Sequence, residues 1–493
     1  MNFADAVKTN TNTKLTENGA RAYTTQDNAL TDLFAQIGAL RSRDEREITA
    51  KYAAAFAADP LLATKMLFYA GNIRGGLGER RTFRICLKWL AENHPSIVIK
   101  NAALIPHFNR WDSMFTLVGT AAEKEMWRVI ADQLNADMAT VAASRGSRKI
   151  QPISLLAKWL PTETASSAET RALARKCMTN LGLTPRAYRK VLSALRKYLK
   201  VVETSMSAQE WEAIQYAQVP SYAMKNYRKA FAKHDPIGFS VYKASLVKGE
   251  TKVNASTLFP YDLVAKYSRG GRYCSEDAII EAQWKALPNY VTGENNILIM
   301  ADVSGSMYGR PMDTSVGLAT YFAQRATSFY HNLYMTFTDE PHFVELREGA
   351  TLAECVAKVM STDIGYSTNL HKAFRLILKT AVDNKIAPDE MPKALVVISD
   401  MEIDPYFRYP SKLDFVETVK AEFKKFNYQC PKLVMWNVNA RNDTFLSKSE
   451  DVLFVSGQSP SVFRELCTNL NGKTNWDLMI ETLSNKMYDC IKI

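Results

Sequence analysis

The residues best equipped for chemistry are Asp302, Ser304 and Ser306, spaced as Asp-Val-Ser-Gly-Ser over 302–306. A carboxylate and two hydroxyls at alternate positions of a tight turn place their oxygens on one side of the loop. Hard cations such as Mg²⁺ want oxygen ligands in a near-octahedral array and usually keep several waters. Two distant pieces add oxygens: Ser367-Thr368-Asn369 opens a helical pattern, and Ser399-Asp400 closes an apolar run. Together they point to a divalent-cation site, with Mg²⁺ first and Mn²⁺ or Ca²⁺ as substitutes. A nucleophile with its base is not evident, because His331, His342 and His371 have no Ser or Cys partner in the pattern.

The complementary chemistry lies upstream. Residues 171–200 hold nine Lys and Arg and no acid. Arg186, Arg189 and Lys190 share one helical face, and Arg196, Lys197 and Lys200 extend it. Tyr188, Leu192 and Leu195 supply the stripe that buries the opposite side. Such a face meets backbone phosphates by counterion release. A second group, Arg74, Arg80, Arg81 and Arg84, surrounds Gly75-Gly76-Leu77-Gly78, where the missing Cβ atoms permit close backbone approach. No Gly-Lys-Ser/Thr follows and no strand precedes it, so it is not a P-loop. A solvated helix face and a tight turn between two helices account for the same residues without a ligand.

The elements that must position these groups come in two grammars. Over 28–290, apolar residues recur at three- and four-residue steps, as in 28–40, 45–58, 60–69, 80–92 and 122–143. Many amphipathic helices with short connections imply a degenerate helical repeat array. After Pro288, apolar runs at 296–302, 333–337, 343–346, 393–400, 432–438 and 452–455 alternate with helical text at 313–330, 352–360, 370–382 and 415–426. That alternation implies a doubly wound, largely parallel sheet, whose ligands bind beyond the carboxyl ends of strands. Asp302 and Asp400 both stand where a strand stops. The expected organisation is an N-terminal segment (1–27), a basic helical domain (28–290) and an α/β domain (291–493).

Composition agrees. The 493 residues carry 62 Lys and Arg against 51 Asp and Glu, and 47% are hydrophobic, which excludes a disordered chain. Residues 1–290 hold 41 basic and 26 acidic residues, a net +15, whereas 291–493 come to −4. No run of 18 apolar residues is present, so no membrane span is expected. The seven scattered cysteines form no CxxC pair and the opening residues form no secretory signal, so a reducing cytoplasm is the expected setting.

The Asp-x-Ser-x-Ser loop with a distant Thr and a distant Asp resembles a von Willebrand factor A domain with its metal-ion-dependent adhesion site. The resemblance assigns Asp302, Ser304 and Ser306 to the first element, Thr368 to the second and Asp400 to the third. That family usually shows Gly-Gly before its Thr and Gly after its Asp, where this chain has Tyr366-Ser367 and Met401. It also implies that a partner's carboxylate completes the metal shell. Lys158-Trp159-Leu160-Pro161, the stretch 192–205 and Val219-Pro220-Ser221, followed by Tyr227, Phe231, His234 and Asp235, resemble a family related to the Ro ribonucleoprotein autoantigen and its TROVE module. In that group a ring of HEAT-like repeats precedes a von Willebrand A domain. The resemblance implies a non-enzymatic ribonucleoprotein scaffold that holds small non-coding RNA on its outer surface and single-stranded ends of misfolded RNA in its central hole. Trp159, Tyr227 and Phe231 are expected in the core. Arg74, Arg80, Arg81, Arg84, Arg186, Arg189, Lys190 and Lys197 are the expected phosphate contacts. Two alternatives remain: a metal-dependent protein–protein interaction module that binds no RNA, and a nuclease using the metal with Glu402 and Asp404.

Overall fold

The computed structural model describes residues 13–15, 21–144, 151–269, 275–293, 296–338, 340–361, 369–403, 415–441, 444–445 and 447–493. A short antiparallel pair, β1 (Thr13–Leu15) and β2 (Arg21–Tyr23), precedes a long helical stretch that runs to Lys285. Helix starts follow local chemistry. Asp44 accepts the Arg46 N–H to open Glu45–Ala58, and Asp59 accepts the Leu62 N–H to open Pro60–Gly71. Pro60 sits in the first turn, where a missing N–H costs nothing. Thr184 and Pro185 open the basic helix Pro185–Tyr198 in the same way.

The second half is an α/β domain around a six-stranded sheet. Its strands are β3 (Ile297–Asp302), β4 (Leu333–Phe337), β5 (Phe343–Glu345), β6 (Ala394–Ser399), β7 (Lys432–Asn437) and β8 (Val452–Ser456). The order is β5-β4-β3-β6-β7-β8, all parallel except the edge hairpin β4–β5. The chain leaves β3 toward β4 on one side and leaves β6 toward β7 on the other. The switch point of the sheet therefore lies between β3 and β6, where a doubly wound fold opens its ligand crevice. The helix expected over 313–330 runs instead from Arg310 to Ala323, because Pro311 suits a first turn.

Strand alternation divides the core. Ile297, Ile299, Ala301, Val396 and Ile398 join one cluster that continues through Phe68, Phe83 and Leu263 of the helical half. Leu298, Met300, Leu395, Val397 and Met435 face a second cluster under Leu370–Asp383 and Phe415–Lys424. One face of the sheet thus shares its core with the helical half. A smaller cluster around Phe231 holds the helices of 202–282.

Both ends of the helical half dock on the α/β domain. At the first end, helix Ala29–Gln36 packs on β8, and Tyr23 pairs with Phe445. Tyr488 stacks on Phe108 at 5.5 Å between centroids and meets the Asn72 amide at 3.3 Å. Asn101 donates to the Lys492 carbonyl. At the other end, helix Pro260–Ser268 crosses Arg310–Ala323 against Gly317, and Ser268 and Arg269 both donate to the buried Asp313. Glu281 accepts the Leu352 and Ala353 N–H groups and so caps a helix of the α/β domain. The chain therefore closes on itself around a cavity of about 1810 Å³, walled in turn by the 71–81 turn, residues 106–111, 153–164, 188–204, 218–227, 257–261 and Arg310. Among the described residues no helix is long and apolar enough to cross a membrane.

Gly38 lies where the backbones of the two halves nearly touch. A Cβ there would lie 2.7 Å from the Gly457 backbone, and Gly457 itself sits at φ +108°. Backbone on both sides leaves nothing to yield. Gly38→Ala is expected to destabilise the protein by about 1–3 kcal/mol, read as a lower denaturant midpoint. An unchanged midpoint would contradict this packing.

Candidate functional site

Asp302 is the last residue of β3 and lies beside Ser399, the last residue of β6. Its side chain is fully buried. Oδ1 accepts the Ser304 N–H at 2.9 Å, and Oδ2 accepts the Ser399 hydroxyl at 2.6 Å. The turn Gly305–Met307 then folds Ser306 back, so that the Ser304 and Ser306 hydroxyls are 3.1 Å apart. Asp400 follows Ser399 and is equally buried; its Oδ1 accepts the Glu402 N–H at 3.3 Å. Met401 takes φ +69°, the left-handed conformation that glycine adopts most cheaply. The absence of glycine after the Asp thus leaves the backbone turn intact, and the Met401 side chain packs into the second core cluster.

The electrostatics of the pair are unfavourable for two anions. Burial, and then the charge of Asp400, push the Asp302 carboxyl up to about 7. A positive group already stands at the site: Arg441 Nε lies 3.3 Å from Asp400 Oδ2, and its guanidinium donates to the Ser306 carbonyl. Two buried carboxylates with hydroxyl oxygens beside them form a donor set that fits a hard divalent cation. Asp302, Ser304, Ser306 and Asp400 are brought together here, and they could hold such an ion. Thr368 lies outside the described residues, as does Asp404. No group of three or more His, Cys, Asp or Glu gathers for a metal among the described residues, so a softer, nitrogen- or thiolate-rich site has no candidate there.

The eight basic candidates separate onto two surfaces. Arg74, Arg80, Arg81 and Arg189 line the cavity. Arg186, Lys190 and Lys197 are exposed on the same helix as Arg189 but lie outside the cavity lining. Arg84 does neither, being held by Asp112 at 2.8 Å and Ser113 at 3.3 Å. Arg81 is partly committed too, donating to the carbonyls of Arg41 and Arg43. The cavity gathers cations that spacing did not single out: Arg41, Arg110, Lys158 and Arg310. Arg110 and Arg310 stand alone in sequence, and only the closure of the chain brings them to one wall. Phe231 is in the core as expected, but Tyr227 and Trp159 are half-buried and line the cavity, Trp159 with the Arg110 guanidinium over its ring.

Residues 296–483 match the model of a domain of unknown function (DUF7788), and residues 16–110 and 166–295 match that of a second domain of unknown function (DUF2828). The chain is similar to an uncharacterized protein of Acanthamoeba polyphaga mimivirus, 29% identical over 490 residues, spanning 92% of this chain and 84% of that one. Among solved structures it is similar to the Deinococcus radiodurans RO (RSR) protein, at 15% identity and a TM-score of 0.43, over 90% of this chain and 99% of that chain.

The raised Asp302 carboxyl makes a signed prediction. Folding raises this pKa from near 4 to about 7, so the native state keeps a proton that the unfolded chain has released. Without divalent cations, stability from this group is present below about pH 4 and is lost as pH rises through about 7. Urea midpoints in chelator should therefore fall more for the wild type than for Asp302→Asn between pH 5 and pH 8. Parallel pH profiles for the two would remove the buried-carboxylate description.

Proposed function

We propose that the chain is a non-enzymatic RNA-binding scaffold. Its helical half carries single-stranded or structured RNA, and its α/β domain holds Mg²⁺ and presents that ion to a protein partner's carboxylate. The observation that carries the reading is the cavity wall, which counts ten Lys and Arg against three Glu. Aromatic side chains, among them Trp159, Tyr222, Tyr227 and Tyr261, stand between those cations. A basic channel with interleaved aromatics is how proteins hold single strands, through phosphate contacts and base stacking without sequence readout. Arg186, Lys190 and Lys197 offer a second, outward phosphate-binding face on the helix whose inner side lines the cavity.

The alternative reading is a metal-dependent protein interaction module without RNA. It is favoured by the setting of the Ser304–Ser306 turn, where Gly305 is exposed and Tyr308 is 91% exposed beside the cation ligands. The exposed Gly305 and Tyr308 mark the side from which a partner would approach the ion.

One set of titrations decides. Purified protein should bind single-stranded RNA with an affinity that falls steeply with salt; neutralising about four phosphates lowers it roughly 50-fold between 50 and 200 mM. No RNA affinity at low salt leaves only the interaction module. Asp302→Ala should abolish Mg²⁺ binding by calorimetry while the circular dichroism spectrum stays unchanged. Equal Mg²⁺ affinity in that variant would refute the cation site, and Mg²⁺-dependent RNA cleavage lost in it would establish a nuclease.

A further inference from the structure

Two guanidiniums of the cavity wall, Arg80 and Arg110, and a third behind it, Arg84, gather near a single carboxylate. Asp112 accepts both Nε and a terminal nitrogen of Arg110, the former at 2.8 Å, and also pairs with Arg84 at 2.8 Å. Its charge therefore serves two arginines. Arg80 opens the helix Arg80–Asn93 beside them, and among the described residues no carboxylate stands within ion-pair distance of it. Burial, and then the neighbouring charge of Arg110, work against its protonated form; Asp112 favours it, and Arg84 opposes it again. Arg196 lines the same cavity under different terms, because its guanidinium donates to the carbonyls of Ala157 and Leu160 at 2.8 Å. The Arg80 wall keeps an unbalanced positive charge.

The same wall offers a flat surface. The Arg110 guanidinium carbon lies 3.9 Å from the centre of the Trp159 ring, a stacking distance, and Asp112 pins the guanidinium from its other edge. A pinned guanidinium on an indole has lost most of its side-chain freedom before any ligand arrives. Bases stack on arginine planes and on indoles alike, and guanidiniums grip phosphate oxygens in pairs.

We propose that Arg80, Arg110 and Trp159 form a nucleotide subsite in the cavity wall, with a backbone phosphate between Arg80 and Arg110 and the adjoining base stacked on the Arg110–Trp159 pair. The ligand class is single-stranded nucleic acid, and the proposal rests on the RNA reading above. It adds to that reading a division of labour: Arg80 answers charge alone, whereas Trp159 answers the base.

The test compares a single-stranded RNA oligonucleotide with inorganic polyphosphate, which has the charge and no bases, by fluorescence anisotropy competition at one salt concentration. Trp159→Ala should weaken RNA roughly five- to hundredfold and leave polyphosphate within about twofold. Arg80→Ala should weaken both ligands by similar factors and reduce the salt slope for RNA by about 0.7. Arg110→Lys keeps the charge and loses the plane, so RNA should suffer more than polyphosphate. It decides the matter alone if Trp159→Ala does not fold. Equal effects of Trp159→Ala and Arg110→Lys on the two ligands, or no effect on RNA, would overturn the subsite while RNA binding stands. A wild type that binds neither ligand would overturn the RNA reading itself.

Discussion

Two carboxylates buried at the ends of neighbouring strands make the strongest demand in the molecule. Removing an ionised carboxylate from water is costly unless opposite charge or hydrogen bonds replace the hydration, and a second anion nearby raises that cost. The chain answers with a backbone N–H and a serine hydroxyl on Asp302, and with Arg441 beside Asp400. Arg441 belongs to a loop that the helical half holds in place. The Ala440 N–H donates to Ala39, the Ser42 hydroxyl reaches Asn439 at 3.2 Å, and Arg43 donates to the Arg441 carbonyl. The counter-charge beside Asp400 thus depends on residues 39–43, which follow the first helix. Arg41 in that turn reaches Glu79 and Gln458, and Arg310 meets the same Gln458 at 2.6 Å. The two buried carboxylates and the cavity rim are consequently joined by one chain of polar contacts.

The shared core gives those contacts their stiffness. Residues of β3 and β6 that point to one face pack into the cluster containing Phe68, Phe83 and Leu263, so the sheet and the helices share one core. Glycines set the separation where backbones nearly touch, at Gly38 against Gly457 and at Gly317 against Pro260. A close-packed interface transmits displacement rather than absorbing it. Glu79, buried between Arg41 and Arg310, shows the same economy, because a carboxylate pushed up by burial is pulled back by guanidiniums from both halves.

The elements were legible because they are periodic. The apolar runs ending at Asp302 and Asp400 became β3 and β6, since a buried parallel strand needs little besides a continuous run of Val, Ile and Leu. Helix starts at Glu45, Pro60 and Pro185 carry their caps in the sequence. What escaped was contact between distant pieces. Helix Ala29–Gln36 has the same amphipathic text as its successors, and nothing local says that it packs on β8 rather than in the repeats. Trp159 reads as core by type, yet it ends a short helix at the cavity wall, where Arg110 shields one ring face. Arg84 sits one turn beyond Arg80, and only Asp112, far along the chain, removes it from the cavity set.

The charge partition of +15 and −4 follows the boundary between the two halves, yet cations of the acidic half reach across it. The acidic half lends a cation to the cavity through Arg310, and Arg441, from the same half, offsets the charge of the buried Asp400. Arg310 begins the helix that follows the Asp302–Ser306 loop, with Gly309 at φ +90° between them. A divalent ion that ordered the loop would therefore act within a few residues of a cavity arginine already bonded to Gln458 and stacked on Tyr261 at 4.1 Å. Coupling of this kind requires only that ion and polyanion bias one loop, and by linkage each would then alter the affinity of the other by the same factor.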